Sequence, residues 1–234
     1  MKRIALIRNS YSYDFGGAEI YPINLAKILS SNDFEVSLLS SNEKTIATAK
    51  QANIKTSKSP WWSRQNFRSR NALLFPIYFV WTLFVAGWYF IYILRNKIDA
   101  VHPQSRDDFI SATIAAKILG KRVVWTDHAD LKHVYFVQVW YKNPIGKLVY
   151  LLSQFADTIT ISSNSEIILI EESLGKKLPK NYVVIPLGVM DTYKPIRTNK
   201  GKIVFVATSR LVKDKGITEL IEAFMLMNQP DTLL

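Results

Sequence analysis

Residues 3–29 read RIALIRNSYSYDFGGAEIYPINLAKIL. The stretch from Arg3 to Arg8 holds a continuous apolar run between charged ends, which is how a strand covered on both faces of a parallel sheet reads. A polar loop follows. Gly16 and Gly17 then open a helical pattern expected over 18–31. The N-terminal MKRIALIR has too short an apolar run before Arg8 to be a signal-peptide core, so it is read as the first strand of a fold.

Outward from this stretch the same alternation recurs. Further strands are expected at 35–40 (EVSLLS), 99–103 (DAVHP), 122–128 (RVVWTDH), 158–163 (TITISS) and 182–188 (YVVIPLG). Helices are expected at 43–52, 72–95, 107–119, 144–155 and 164–175. Apolar strands separated by helices need crossover connections, which implies an α/β fold with a doubly wound, mostly parallel sheet of Rossmann-like type. After the polar linker YKPIRTNKGK, the run KIVFVATS starts a second unit of the same kind, so residues 1–195 are expected as one domain and 196–234 as an incomplete second one.

Composition narrows the partners. The chain has 234 residues, 48% hydrophobic and 21% charged, which is globular usage, and with no Cys it has neither disulfides nor a thiolate metal site. Its net charge of +11 asks for an anionic partner. Between Lys44 and Ile98 there is no Asp or Glu, while Lys50, Lys55, Lys58, Arg64, Arg68, Arg70, Arg95 and Lys97 fall there with Trp61, Trp62, Trp81 and Trp88. That segment reads as a surface for anionic membrane headgroups, with Arg64, Arg68, Arg70, Trp81 and Trp88 as the contacts. Nucleic acid is not expected, because no groove-reading or base-stacking motif accompanies the charge.

Ligands of doubly wound sheets bind beyond the carboxyl ends of the strands, so the loops SYSYDFGGAE, HPQSRDD, HADLKH and SRLVKDKG are the places to search. Gly16 and Gly17 stand before a helix, where free N–H groups and the helix dipole favour a phosphate. They do not form the GxGxxG dinucleotide fingerprint. His128 closes a strand and suits hydrogen bonding or proton transfer. Arg210 and Lys215 lie in a strand-to-helix loop where a bidentate fork and a point charge make a diphosphate clamp. Each of these, taken alone, equally fits an ordinary loop or a structural histidine. His128 and His133 have no third ligand nearby, so no metal is expected.

Their order along the chain is more specific. GGAEIYPINLAKIL, EVSLLSS, IDAVHPQS, VVWTDHAD, ITISSNSE and VVIPLGVMDTYKP, followed by VATSRLVKDKGITELIEAF, resemble the GT-B glycosyltransferases of the family-4, retaining, sugar-nucleotide-dependent type over residues 1–228. The last stretch looks like the family's Gly-Arg-Leu, three variable residues, Lys-Gly signature. The resemblance implies that Arg210 and Lys215 hold the donor diphosphate and that the Gly16–Gly17 loop faces it. It also implies that His128 lies by the transferred sugar, while Glu19 matches the acid after the glycines, with an acceptor-side or a structural role. Ser209 stands where Gly is common, and Leu187 and Met190 replace the usual Asn and Asp of the following turn. Family members continue for well over a hundred residues and carry a Glu-seven residues-Glu motif that nothing after Pro230 supplies. The 234-residue chain alone is therefore expected to be inactive. A separate chain supplying the missing donor-side domain is among the expected partners.

The run from Ala72 to Leu94 has no charged residue and as a helix would extend roughly 34 Å, enough for a bilayer. It fits monotopic membrane contact, a helix buried in protein, or a true span. The expectation is a glycosyltransferase at the cytoplasmic membrane face, with a nucleotide-diphosphate sugar as donor, a lipid-linked or polysaccharide acceptor, and neither cofactor nor metal. The alternative is a catalytically inactive module that binds acceptor or membrane.

Overall fold

The computed structural model describes residues 1–9, 15–61, 75–128, 131, 144–188, 203–209, 215–227, 229 and 232–233, with the backbone alone of Asp107. It has two compact units, Met1–Val189 and Met190–Leu234.

The first unit runs β1 (Lys2–Ile7), α1 (Gly17–Ser30), β2 (Phe34–Ser40), α2 (Glu43–Gln51), β3 (Lys55–Lys58), α3 (Phe75–Arg95) and β4 (Ala100–Pro103). It continues with α4 (Arg106–Ile118), β5 (Arg122–Thr126), α5 (Pro144–Ser153), β6 (Thr158–Ile161), α6 (Asn164–Leu174) and β7 (Tyr182–Val184). The seven strands form one sheet in the order β3-β2-β1-β4-β5-β6-β7, every neighbouring pair parallel. This is the doubly wound sheet that the strand pattern implies. The order reverses between β1 and β4.

The double cover is visible residue by residue on β1. Ala5 and Ile7 belong to a cluster with Tyr89 and Ile93 of α3, Phe109 and Ile110 of α4, Val149 of α5 and Ile170 of α6. Leu6, one position between them, belongs to the opposite cluster with Ile23 and Ala26 of α1 and Ala49 of α2. Alternation with period two and an apolar residue at each step therefore requires helices on both sides.

One strand lies outside the expected set. β3, KTSK, is short and polar, so no apolar alternation announces it, yet it pairs with β2 from Ser37↔Lys55 to Ser40↔Lys58. Its outer edge position fits, since lysines on an edge strand discourage pairing with other chains. β5 ends at Thr126 rather than His128, because the Asp127 carboxylate turns to accept the N–H of Leu131 at 3.2 Å.

The point of reversal is tied by one buried carboxylate. Asp108, the third residue of α4, accepts Asn9 Nδ2 at 2.9 Å, the Tyr89 hydroxyl at 2.7 Å, the Asn9 backbone N–H at 3.4 Å, and the hydroxyl of the α4 N-cap Ser105. Asn9, Tyr89, Ser105 and Asp108 are all 2% exposed or less. Burial and then the Asp108 carboxylate hold the Tyr89 phenol well above its usual range, so it stays a proton donor.

The second unit contains β8 (Ile203–Val204) and β9 (Thr232–Leu233), paired in parallel, and α7 (Ile217–Met227). None of the α7 residues is buried, and Ile221, Met225 and Leu226 stand exposed.

Two outcomes follow from this packing. Asp108→Ala takes the acceptor from four buried donor groups and should cost about 3 kcal/mol or more in urea denaturation, whereas Tyr89→Phe, which removes the bond given to Asp108 and the one accepted from Asn9, should cost about 1–2 kcal/mol. Equal costs would show that the carboxylate does not organise the site. In hydrogen exchange, the amides of α7 should exchange at least about a hundredfold faster than those of α4, since little apolar surface holds α7 closed.

Candidate functional site

At the reversal of a doubly wound sheet the loops leaving the two central strands part toward opposite faces and open a crevice. Here that crevice lies beyond the carboxyl ends of β1 and β4.

Arg8 follows β1 directly and is fixed by its backbone, its N–H donating to Leu39 at 2.9 Å and its carbonyl accepting Ser40 Oγ at 2.7 Å. Its guanidinium donates to Glu19 Oε1 at 3.0 and 3.3 Å and to the Gln104 carbonyl at 2.8 Å. The other Glu19 oxygen accepts the Gly16 N–H at 3.1 Å. This chain of contacts joins the end of β1, the first turn of α1 and the loop after β4. The Arg8 and Glu19 side chains are 13% and 8% exposed, so the pair is desolvated, and removing one partner would leave the other buried and unpaired. Glu19 thus has both oxygens engaged within the chain.

Gly16 is the N-cap of α1, with extended backbone at φ −145°. A Cβ at Gly16 would meet only Glu19 Oε2 at 3.8 Å, and one at Gly17 would meet nothing within 4 Å. Neither glycine is required by internal packing or by a left-handed backbone. What they leave is open space at a helix N-terminus, whose dipole favours negative charge.

His128 lies against α1, its ring edge-on to Tyr21 at 5.1 Å. Burial, and secondarily the positive Arg8, hold it down at about 4, so the imidazole is neutral near pH 7. Its Nε2 is buried and has no hydrogen-bond partner among the described residues. His102, on β4, is likewise held at about 4 by burial first and by His128 second. Thr160 gives its one hydroxyl proton to the Trp125 carbonyl at 3.2 Å and accepts from Thr126 at 2.8 Å. Thr126 in turn accepts from His102 Nε2–H at 2.6 Å, which assigns the His102 tautomer. Gln104, 1% exposed, finds no partner for either amide atom, and neither does Asn9 for its Oδ1.

Of the residues singled out in the sequence, the structure brings Gly16 and Glu19 into direct contact, with Gly17 beside them, and sets His128 against α1 through Tyr21. Lys215 belongs to the second unit, exposed just ahead of α7, and Gly216 after it adopts φ +66°, the left-handed conformation that favours glycine in a Lys-Gly pair. Trp81 and Trp88 are half-buried on α3 and pack edge-on to Trp61 at 6.5 and 4.8 Å. Arg64, Arg68, Arg70 and Arg210 lie outside the described residues. Arg8, Tyr21, His102 and Gln104 were not expected. His102 and Gln104 both fall in the HPQSRDD stretch, His102 as part of β4, and a charge closing an apolar strand marks Arg8. Among the described residues no group of three or more His, Asp or Glu could hold a metal ion.

Such a site offers a helix N-terminus braced by the Arg8–Glu19 pair and a neutral imidazole. It can bind an anion and a hydroxyl-bearing ligand together.

Comparison with known proteins adds three findings. A model of Glycosyltransferase Family 4 matches residues 15–192. No curated protein matches the chain. Solved structures similar to it include HepE from Anabaena with UDP and glucose, at TM-score 0.65 and 17% identity over 100% of this chain and 60% of that one. A glycosyltransferase from Rickettsia africae is similar at 0.64 and 18%, over 97% and 57%. Acinetobacter baumannii MurG is similar at 0.60 and 17%, over 98% and 59%. The chain thus spans about three fifths of the length of these structures.

The two depressed histidines make a pH prediction. An unfolded histidine titrates near 6.5 and binds protons that the folded one refuses down to about 4, so the stabilisation is complete above about pH 6.5 and lost as pH falls toward 4. The urea midpoint should drop between pH 6.5 and 5, before the carboxylates titrate, and His102→Gln should flatten that drop. An unchanged pH slope in His102→Gln would show that His102 titrates normally in the folded chain.

Proposed function

The chain belongs to glycosyltransferase family 4, and from that premise we propose that it forms the acceptor side and the opening of the donor side of an enzyme that moves a sugar from a nucleotide-diphosphate sugar. The acceptor is lipid-linked or a polysaccharide, met at the cytoplasmic face of a membrane. The observation that carries this reading is the unneeded pair of glycines. Gly16 and Gly17 leave open an N-terminus of the kind that takes phosphate oxygens, and Glu19 and Arg8 hold it in place.

In this proposal the donor diphosphate lies over the α1 N-terminus, and Lys215 and Arg210, in the stretch that resembles the family's diphosphate-binding signature, are its cationic ligands. Charge grows on the leaving diphosphate as the glycosidic bond breaks, so cations and N–H groups already in place stabilise the transition state more than the ground state. His128, neutral at working pH, exchanges a hydrogen bond with a sugar hydroxyl and does not serve as an acid. Retention at the anomeric carbon and independence from metal belong to the same proposal. That the similar HepE structure holds UDP and glucose supports a nucleotide-sugar donor.

Gly17→Val tests the reading, because the added side chain meets open space inside the protein and should change stability by less than about 0.5 kcal/mol. Binding of a nucleoside diphosphate, followed by calorimetric titration, should weaken at least about tenfold. In the chain completed by the donor-side domain, given radiolabelled sugar nucleotides and membrane extract, Lys215→Ala and Arg210→Ala should each slow transfer roughly a hundredfold with the melting temperature unchanged. Wild-type binding and turnover in all three variants would remove the diphosphate from this site.

A further inference from the structure

We infer that the outward face of α3 is a docking surface for one leaflet of an anionic membrane. The inference gives the membrane part of the proposed function a surface; it rests on that reading only for the membrane's presence, and its test needs no sugar transfer.

The helix carries Ile77, Val80, Phe84, Ile91 and Leu94 on one outward stripe, exposed by 62%, 67%, 62%, 49% and 51%. These positions recur at steps of three, four and seven, one face of a helix. The helix has 21 residues, and its most apolar 18-residue window has mean hydropathy 1.8 with only 33% of it buried. A stripe of this kind on a soluble surface is normally polar, and contiguous exposed apolar area marks a contact.

The opposite face excludes a span. Tyr89 bonds Asp108 and Asn9, Tyr92 donates to Ser37 of β2 at 3.3 Å, and the carbonyl of Thr82 accepts Ser111 Oγ at 3.3 Å. The strands before and after α3 also lie in one sheet. Insertion across a bilayer would break both, so the helix can only lie flat with its outer face in the interface.

Charge selects the occupant. Residues 44–98 contain no Asp or Glu, and Arg95 and Lys97 stand exposed at the end of α3. A second copy would cover the stripe but bring no acidic partner for Arg95 and Lys97, since a two-fold interface sets the same acid-free segment against itself. A bilayer of anionic lipid satisfies the apolar stripe and the cations at once.

Flotation with phosphatidylglycerol-containing and pure phosphatidylcholine vesicles tests this, using wild type, Val80→Asp/Phe84→Asp and, as a control on another exposed apolar site, Ile118→Asp. Circular dichroism and melting temperature confirm that each variant folds. Wild type and Ile118→Asp should float with anionic vesicles only, weaken with salt and be released by alkaline carbonate, while the double variant should partition at least tenfold less. Flotation of the double variant equal to wild type would overturn the proposal, as would equal binding to neutral vesicles or retention after carbonate. Light scattering that shows a wild-type dimer made monomeric by the double variant, with no vesicle binding by wild type, would assign the face to a second copy instead.

Discussion

The Asp108 carboxylate is the constraint on which the first unit depends. Buried at 2% exposure, it takes protons from the end of β1, from the middle of α3 and from the cap of its own helix. A charge in that position is tolerable only when fully bonded, so the four groups that meet it have essentially one arrangement. Because Asn9 directly follows Arg8, fixing Asn9 also fixes the guanidinium that holds Glu19, and through Glu19 the N-terminus of α1. The stability of the sheet and the shape of the crevice are thus set by one network.

That network is where reading the sequence stops. The strands are legible because each signals itself locally: IALI, SLL, VVW and TITI are apolar runs, and crossover geometry then dictates a parallel sheet. β3 is invisible because Lys, Thr, Ser and Lys have no apolar face, and only its place beside β2 makes them a strand. Asn9, Tyr89 and Asp108 are ordinary letters whose meaning comes from contacts separated by 80 and 99 residues.

The candidate site divides in the same way. Gly16, Gly17 and the Lys215-Gly216 pair announce themselves, since glycine before a helix or at φ +66° has few other uses. Glu19 was legible as a position and not as a role. Only coordinates show one oxygen on Arg8 and the other on Gly16, which makes it the strut between strand and loop. The low histidine values depend on enclosure and on Arg8, neither of which a sequence states.

α3 shows why summed hydropathy misleads. At 21 residues it is about 31 Å long, whereas β4, the strand it leads into, is four residues or about 13 Å, so no single strand of this sheet could cover its length. A helix that only had to pack on the sheet would carry polar residues outward at no cost. This one instead keeps polar side chains inward, with Tyr78, Thr82, Tyr89 and Tyr92 buried beside Val85 and Ile93, and leaves the apolar Ile77, Val80, Phe84, Ile91 and Leu94 outward. The inward face answers to hydrogen-bond partners in the core. The outward face is an exposed apolar stripe, and a window average adds the two faces into one number that resembles a membrane span.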